Sequence, residues 1–469
     1  MTPEAPGSPG RVQAVVIGVG MAGLLTARVL AEHFRQVIVL DRDELPTYAA
    51  HRTGVPQGAH VHALFTRGLR TVEELLPGFT AALLQRGGQN IDVGADLAIH
   101  TPYGWGVRSP SALRVVGASR PLIEAVVREQ ITALPGVRLL DRHHVEHPIG
   151  TRHRVTAVRV RDLRGGTTAD IPAQLVVDAS GRGSRLPAWL KTLGCPEPVP
   201  ESVVDPQLSY ATRLYRRSSA DGLGWRACYS LLNAPATTRG AVIAPIEDGR
   251  WIVTLLGIGP DRPTRQENDF LPFAASLPTA EIAHALQHMT PLTPVATSRA
   301  TANRRRHLDR APALPANLFV LGDAACAFNP IYAQGMTVAA LGARLLGACL
   351  RGPAGPTATA ARFHRRLSRL IDGPWLLATS ADQRFPLTQG PAPSLTRRLM
   401  ADHLDRVLAA GARNPQVQHA FLKVLTMVDG PSSLAAPATL LRTLRHSART
   451  VPSPVPGPCP ATRPQSSQP

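Results

Sequence analysis

The feature that most constrains the fold of this chain is a glycine-rich turn between two apolar segments, VVIGVGMAG at residues 15–23. The run 12–17 predicts a short buried strand, and the run 24–34 predicts a helix. GxGxxG spacing at such a turn permits a tight bend, close approach of a pyrophosphate to the helix N-terminus, and close packing of helix on strand. An ordinary strand-to-helix turn is the alternative. The predicted cofactor-binding residues of the motif are Gly18, Gly20, Met21, Ala22 and Gly23.

A second apolar strand, QVIVL at 36–40, ends at Asp41. Asp41 lies 18 positions after Gly23, where a carboxylate can accept hydrogen bonds from an adenosine ribose. The strand, the helix and the acidic residue thus follow one another at the spacing that a dinucleotide site requires. Together they predict a dinucleotide site, in which the adjacent Arg42 also takes part.

The stretch VLGDAACAFNPIYAQGMT at 320–337 ends an apolar strand sharply and opens an apolar helix on an uncharged glycine. Asp323, after the strand, is placed to bind a sugar-like hydroxyl, while Pro330 and Gly335 shape a loop that presents a helix N-terminus. That N-terminus carries unpaired N–H groups and about half a positive charge, which favours negative charge on the pyrimidine end of a reduced flavin. We therefore expect the dinucleotide to be FAD. The alternative is a purely structural turn.

The alternation of segment types predicts an α/β fold with an insertion. LSYATRLYRR and GRWIVTLLG indicate an antiparallel sheet, whereas the flanking regions alternate strand and helix patterns. We expect a Rossmann-like FAD-binding domain, an inserted antiparallel β-sheet domain for substrate, a C-terminal helical region and a disordered tail. The expected division is 1–85, 112–190 and 312–385 for the FAD domain, 86–111 and 191–311 for the substrate domain, 386–450 for the helical region, and 451–469 for the tail.

Composition indicates a globular chain: 44% of its 469 residues are hydrophobic, and no window approaches the ~18 continuous apolar residues of a membrane span. The N-terminus carries no signal-peptide pattern. Five scattered cysteines without a CxxC pair favour reduced thiols, so we expect a cytoplasmic protein. The sequence contains no metal-ligating constellation, and no metal is expected.

The net charge of +18 raises the question of nucleic-acid binding. Only Lys191 and Lys423 among the 51 basic residues are lysines, and the arginines are spread along the whole chain. No nucleic-acid-binding motif accompanies them. We therefore expect no nucleic-acid partner, and keep a basic nucleic-acid or scaffold protein with a vestigial nucleotide fold as the outlying alternative. Attraction to an acidic carrier protein stays compatible with this charge.

The segments GVGMAG, VVDASGRGSR and GDAACAFNPIYAQGMT occur in an order and spacing that resembles the FAD-dependent monooxygenases of the para-hydroxybenzoate hydroxylase and squalene epoxidase type. The resemblance covers nearly the whole chain except the two tails. It implies that Asp323 binds the flavin ribityl chain and that Arg120, in SRPLIEAVVRE, contacts FAD. The other cofactor-binding residues expected from these motifs are Asp178, Gly322, Pro330, Gly335, Met336 and Thr337.

Several further segments, among them GVPQGAHVHAL and PIEDGRWIVTLLG, resemble the actinobacterial branch that contains the polyene epoxidases of polyether antibiotics such as monensin and lasalocid. That resemblance implies epoxidation or hydroxylation of a lipophilic polyketide or terpenoid in antibiotic biosynthesis. His60 and His62 would then line the flavin or substrate cavity, although packed, hydrogen-bonded histidines are the simpler interpretation.

Three residues depart from the family pattern. Ser180 and Gly181 replace the usual Asp-Gly pair, and Asp178 lies two positions earlier. The replaced aspartate is linked in the family to nicotinamide handling, so NAD(P)H could reduce the flavin directly or through a separate flavin reductase. Cys326 replaces a common histidine and reads as a small buried hydrophobe. Ala333 replaces a glycine, so the loop must accommodate a Cβ there.

The sequence predicts no catalytic side chain, because a reduced flavin would carry the chemistry. An electron-rich alkene needs no side-chain base, whereas hydroxylation of a phenol is helped by one. Because the sequence shows no convincing base, epoxidation is favoured. Tyr210 and Trp251 are the expected substrate contacts in an apolar cavity. The alternative within the same fold is an FAD-binding cyclase or double-bond reductase that inserts no oxygen.

Overall fold

A computed structural model of the protein describes residues 12–195, 197–217, 222–311, 314–352 and 356–446. The expected tail 451–469 and Cys459 lie outside the described residues. The strands, in chain order, are β1 Gln13–Ile17, β2 Gln36–Leu40, β3 Gln89–Asp92, β4 Leu97–Thr101, β5 Gly104–Trp105, β6 Arg114–Gly117, β7 Val137–Leu140, β8 His143–Gly150, β9 Val155–Asp162, β10 Thr168–Pro172, β11 Leu175–Asp178, β12 Glu201–Val204, β13 Leu208–Arg217, β14 Ala227–Ser230, β15 Arg239–Pro245, β16 Arg250–Ile258, β17 Met289–Pro291, β18 Ala296–Ser298, β19 Asn303–Arg306, β20 Leu318–Val320 and β21 Cys326–Ala327.

Helices pack on the parallel sheet and on a second, larger sheet, and they form the C-terminal region. In chain order they are α1 Met21–Leu30, α2 Thr66–Leu75, α3 Phe79–Gln85, α4 Arg120–Thr132, α5 Leu186–Thr192, α6 Glu267–Ala275, α7 Glu281–Gln287, α8 Gly335–Leu350, α9 Pro356–Asp382, α10 Leu395–Gly411, α11 Pro415–Leu425 and α12 Pro437–His446. None of the helices within the described ranges is both long and apolar enough to cross a membrane.

A five-stranded parallel sheet in the order β20-β11-β1-β2-β7 is the centre of the α/β part. Its strands read as continuous apolar runs because both faces are buried, in a core cluster that includes Leu24 of α1 and Val158 of β9. Helix α1 begins at Met21, three residues before the apolar run that predicted it, since the backbone N–H of Leu24 already donates to the carbonyl of Gly20. The expected βαβ start is thus present, and it brings the glycine-rich turn to the carboxyl edge of the sheet.

An eight-stranded, largely antiparallel sheet forms the second layer, in the order β17-β13-β16-β15-β14-β4-β5, with β18 also paired to β13. One pairing, between β14 and β4, is parallel. Helices α6 and α7 pack on one face of this sheet, in a cluster that includes Phe270 and Ile282. The α/β fold with a mixed second sheet and a C-terminal helical region is therefore confirmed.

Candidate functional site

A cavity of about 510 Å³ opens at the carboxyl edge of the parallel sheet. Its wall is formed by the loops that follow β1, β2, β11 and β20, together with the segment before α8. In open parallel sheets, ligands bind outside the carboxyl ends of the strands. The predicted cofactor-binding residues that line the cavity are Gly18, Gly20, Met21, Ala22, Asp41, Arg42, Arg120, Gly322, Asp323, Pro330, Gly335 and Met336.

The glycines of the first turn have different roles. Gly18 has a φ of +104°, and an added Cβ would lie 2.5 Å from the carbonyl oxygen of Ala179. At Gly23 an added Cβ would lie 1.8 Å from the carbonyl oxygen of Gly18. An added Cβ at Gly20, in contrast, would have no atom within 4 Å, and Gly20 lines the cavity. The first and third glycines therefore allow the turn and its packing, whereas the second leaves space for a ligand.

Three predicted cofactor residues do not line the cavity, namely Gly23, Asp178 and Thr337. Asp178 is fully buried, and its carboxylate accepts hydrogen bonds from the Ser180 hydroxyl at 2.5 Å and the Ser184 hydroxyl at 2.6 Å. It therefore shapes the turn that carries the cavity-lining Ser180 instead of facing a ligand. A direct contact between Asp178 and the cofactor stays a prediction. The buried position of Asp178 does not support it.

Arg52 organises the side of the cavity at Asp41, and the sequence analysis did not identify this role. Its guanidinium donates from Nε to Glu124 Oε1 at 2.7 Å and from Nη1 to Asp41 Oδ2 and Asp43 Oδ2 at 3.3 Å each. Nη2 also donates to the carbonyl of Val19, in the glycine-rich turn. Burial alone would lower the pKa of Arg52, but the three carboxylates raise it, so the group stays charged. One buried cation thus fixes the turn and the acidic residues that follow β2.

Asp41 already has protein partners for both carboxylate oxygens. The backbone N–H of Val19 donates to Oδ2 at 2.7 Å, and that of Asp43 donates to Oδ1 at 3.0 Å. Each carboxylate oxygen can accept more than one hydrogen bond. A ribose hydroxyl could therefore still donate to Asp41, which lines the cavity, and the protein bonds hold the carboxylate in place for it.

Asp323 is the carboxylate on the opposite side of the cavity. Its side chain is 32% exposed at the cavity wall, and the closest cation is Arg182, with Nε 3.9 Å from Oδ2. Burial raises the pKa of Asp323, while Arg182, Arg120 and Arg304 oppose that shift. Arg182 is itself held by the carbonyls of Ala302 and Phe328. Asp323 is thus an acceptor that can receive hydrogen bonds from a polyhydroxylated chain in the cavity.

The loop between β21 and α8 forms the wall next to Asp323. Asn329 caps a short 3₁₀-helical turn at Pro330–Tyr332, and Ala333 then adopts a left-handed φ of +51°. This conformation is strained for a residue with a Cβ. The Cβ expected at Ala333 is accommodated in this unusual conformation, and the backbone turns there to bring Gly335 to the cavity.

Two buried polar atoms near the start of α8 have no hydrogen-bond partner among the described residues: Oε1 of Gln334 and Oγ1 of Thr337. Such groups are uncommon in folded proteins because the lost hydrogen bond with water is not replaced. Neither side chain lines the cavity, so the fit of a ligand rests on the open space at Gly20 and on the acceptor Asp323, which both lie at its wall. The residues present therefore fit a flavin dinucleotide.

Of the two histidines in the segment 54–64, His62 lines the cavity and His60 does not. The Nδ1 atom of His62 lies 3.0 Å from the carbonyl oxygen of His60, which can only accept. Nδ1 therefore carries the proton, and Nε2 is an acceptor. Burial, followed by Arg120, lowers the pKa of His62 to about 3. A neutral imidazole is thus present at the cavity wall.

His60 instead joins the loop to the second sheet. Its Nδ1 lies 2.7 Å from the Thr212 hydroxyl, which lies 2.8 Å from the Thr254 hydroxyl, and the ring of His60 packs on that of Tyr210. Burial lowers the pKa of His60 to about 4, so it too is neutral near pH 7. This is the packed, hydrogen-bonded role that the sequence left open.

The two expected substrate contacts, Tyr210 and Trp251, lie on opposite faces of the second sheet. Trp251 is paired with Tyr215, five residues from Tyr210, and side chains alternate along a strand. Trp251 packs near Trp225 in the cluster under α6 and α7, whereas the Tyr210 hydroxyl donates to Asn329 Oδ1 at 2.9 Å. One substrate cannot contact both faces. Only Tyr210 lies on the side of the cavity.

Within the described ranges, no group of three or more His, Cys, Asp or Glu side chains is placed to hold a metal ion. The described cysteines, including Cys326, are buried and unpaired. Burial raises the pKa of the Cys326 thiol above its ordinary range, which leaves it unreactive.

The chain is similar to several known proteins. The family model for the FAD binding domain matches residues 11–364. Protein Rv3254 of Mycobacterium tuberculosis is 30% identical over 448 residues, which cover 93% of this chain and 94% of that protein. A kynurenine 3-monooxygenase of Salinispora tropica is 28% identical over 366 residues, 72% of this chain and 73% of that protein.

Among solved structures, p-nitrophenol 4-monooxygenase PnpA from Pseudomonas putida DLL-E4 is similar, with a TM-score of 0.63 over 90% of this chain and 98% of that chain. The two sequences are only 18% identical, so this likeness concerns the fold.

Proposed function

The chain belongs to the FAD binding domain family, and from that premise we propose that it is an FAD-dependent monooxygenase. In this proposal it inserts one oxygen atom from O2 into a lipophilic polyketide or terpenoid intermediate of specialised metabolism. The observation that carries the proposal is the cavity at the carboxyl edge of the parallel sheet, with open space at Gly20 on one side and Asp323 on the other. The similarity to a kynurenine 3-monooxygenase supports the oxygenase class.

Bound FAD would supply two-electron redox chemistry and the reaction with O2. The protein would hold it by the glycine-rich turn, with Asp41 at the ribose and Asp323 at the ribityl chain. The N-terminus of α8 at Gly335 offers unpaired N–H groups and a positive end of the helix dipole. These groups favour negative charge on the ligand edge next to them. Gly322, Met336 and the other predicted residues that line the cavity complete the wall.

The substrate would lie between this wall and the inner face of the second sheet. The neutral His62 lies at the cavity wall, where burial lowers its pKa to about 3, and it offers an acceptor nitrogen. An acceptor of this kind could orient a substrate hydroxyl or take its proton. Epoxidation of an alkene, as in the polyether polyene epoxidases that the sequence resembles, needs no such base. Because His62 could act as such a base, the site supports hydroxylation as well as it supports epoxidation.

The source of electrons is also part of the proposal. NAD(P)H would have to reach the flavin without help from an aspartate, because Ser180 replaces the usual one and Asp178 is fully buried and does not line the cavity. This favours delivery of reducing equivalents by a separate flavin reductase. The same observation keeps a second candidate open, an FAD-binding cyclase or double-bond reductase that inserts no oxygen.

One experiment separates these functions. Purified FAD-loaded protein is mixed with candidate polyenes and phenols under ¹⁸O2, first with NADPH alone and then with NADPH and a flavin reductase. Bleaching of the flavin absorbance and the product mass are followed. Product that carries one ¹⁸O atom and needs O2 supports the monooxygenase. Full product formation without O2 rejects it, and identifies a reductase if reduced flavin is required or a cyclase if it is not.

A further inference from the structure

A buried carboxylate at the end of α9 has no role in the site described so far. Asp382 is 2% exposed, and no cation lies within ion-pair distance of it among the described residues. Its carboxylate instead accepts hydrogen bonds from three neutral side chains. These bonds come from Nδ2 of Asn303 at 2.6 Å, Nδ2 of Asn329 at 3.1 Å and the hydroxyl of Tyr332 at 2.7 Å.

Two of these three donors belong to the loop that lines the cavity. Asn329 and Tyr332 bracket the turn that contains Pro330, and the loop continues through the strained Ala333 to Gly335. Asn329, Pro330, Ala333 and Gly335 all line the cavity. One carboxylate behind the loop therefore holds both ends of the turn that forms the cavity wall.

The same network reaches the second sheet. Asn329 accepts from the Tyr210 hydroxyl of β13 at 2.9 Å through Oδ1, and its backbone N–H donates to Oδ1 of Asn303 in β19 at 2.8 Å. Asn329 thus cannot turn its amide without losing a bond to Tyr210, to Asp382 or to both. Hydrogen bonds therefore hold the loop to the second sheet on one side and to α9 on the other.

Stability alone does not explain this carboxylate. Burial raises the pKa of Asp382 to about 6, although Tyr332, Asn329 and Asn303 lower it. A carboxyl whose folded-state pKa is raised stabilises the fold least when it is ionised, above that pKa. Retention of a destabilising ionised group next to a ligand cavity is typical of a functional position.

We propose that Asp382 is a positioning residue that holds the loop Asn329–Gln334 in the conformation that binds the flavin. The proposal uses the family assignment but not the monooxygenase reaction. It predicts that FAD affinity depends on the ionised carboxylate. The carboxylate of Asp382 is surrounded by three hydrogen-bond donors. A protonated carboxyl group would be a fourth donor, so at least one of the three hydrogen bonds must reverse its direction or break.

The phenols around Asp382 do not change charge in this pH range. They belong to Tyr210, Tyr229 and Tyr332, and burial raises their pKa values above the ordinary range. The carboxylate of Asp205 also acts on Asp382 and raises its pKa. An acid step in FAD affinity that disappears on removal of the Asp382 charge can therefore be assigned to Asp382.

The test titrates FAD into apo protein from pH 5 to pH 8, with flavin fluorescence as the readout. For the wild type we expect the Kd to rise as the pH falls through about 6. Asp382→Asn should bind at least about tenfold more weakly at pH 8, equivalent to about 1.4 kcal/mol, and lack the acid step. Tyr332→Phe, which removes one hydrogen bond and no charge, should bind more weakly but keep the step.

Asp92→Asn is the matched control. Asp92 is also a buried carboxylate that accepts hydrogen bonds, from Ser111 and from the backbone of Gly94, but it does not line the cavity. This variant should bind FAD with the wild-type affinity across the range from pH 5 to pH 8. The proposal is overturned if Asp382→Asn keeps the wild-type affinity and acid step, or if all three variants weaken binding alike. Should Asp382→Asn fail to fold, wild-type affinity in Tyr332→Phe overturns it. Tight FAD binding without oxygen insertion would reject only the monooxygenase.

Discussion

The guanidinium Nε of Arg52 donates to Oε1 of Glu124 at 2.7 Å, across 72 positions of sequence, while Nη1 reaches both Asp41 and Asp43. Glu124 lies on α4, one turn after Arg120, whose Nη2 is 3.4 Å from Oε2 of Glu124. Arg52 and Glu124 therefore connect the carboxylate expected at the ribose with the arginine expected at the flavin.

Replacement of Arg52 by Met should lower the free energy of unfolding by about 3–5 kcal/mol, because three partly or fully buried carboxylates lose their shared cation. Urea unfolding monitored by circular dichroism measures this. Arg86→Met is the matched control. Arg86 forms a comparable two-bond pair with Glu129, but the pair is about half exposed and should contribute less than about 1 kcal/mol. Equal losses in the two variants would contradict the network assignment.

Alanine at Gly20 and alanine at Gly18 should have different effects. Gly20→Ala places a methyl group in open space at the cavity, so the protein should keep its unfolding midpoint and lose FAD affinity by at least about tenfold. Gly18→Ala puts a Cβ against the carbonyl of Ala179 at a φ of +104°, and should destabilise the fold by about 1–3 kcal/mol or more. Thermal unfolding and FAD titration are measured together. A Gly20→Ala protein that binds FAD normally would argue against the proposed cofactor position.

Glycine at Ala333 should stabilise the protein. The φ of +51° is strained for alanine, by roughly 1–2 kcal/mol, and the gain in unfolded-state entropy offsets about half of the relief. We expect a net increase in the free energy of unfolding of about 0.5–1 kcal/mol. Ala361→Gly, at an exposed position of α9, should instead cost about 1 kcal/mol. A loss at both positions would show that Ala333 is not strained in solution.

His364 should make stability fall in acid. It is 2% exposed, its Nε2 accepts from the backbone N–H of Val320 at 3.3 Å, and burial lowers its pKa to about 4. The unfolded chain binds this proton below about pH 6.5, so the folded state loses stability progressively between about 6.5 and 4, by at most about 3 kcal/mol. His364→Gln should reduce this pH dependence, whereas replacement of the exposed His284 should not. Parallel pH profiles for the wild type and His364→Gln would contradict the prediction.

The local sequence pattern was sufficient to predict the first turn and the position of Asp41, because the βαβ start of a dinucleotide site requires glycines and an acidic residue at fixed spacings. It was also sufficient to bring Asp323 and Gly335 to one cavity. It was not sufficient for Arg52 or Asp382. Both lack a local signal, since Arg52 lies in an irregular loop and Asp382 ends a long helix, and their partners lie far away in the chain.

Tyr210 and Trp251 show a different failure. Both are aromatic residues of predicted strands, and aromatic content suggested a shared role. The alternation of side chains would have separated them, but only once the pairing of β13 with β16 was known.

The order of apolar runs and glycines along the chain determined a dinucleotide-binding turn and the positions of two carboxylates near it, because backbone sterics act between neighbouring residues. The folded structure alone decided which buried charges meet. Arg52 joins Glu124 and Asp382 joins the Asn329 loop because desolvated groups require partners, and the packing of distant elements determines which partners are within reach.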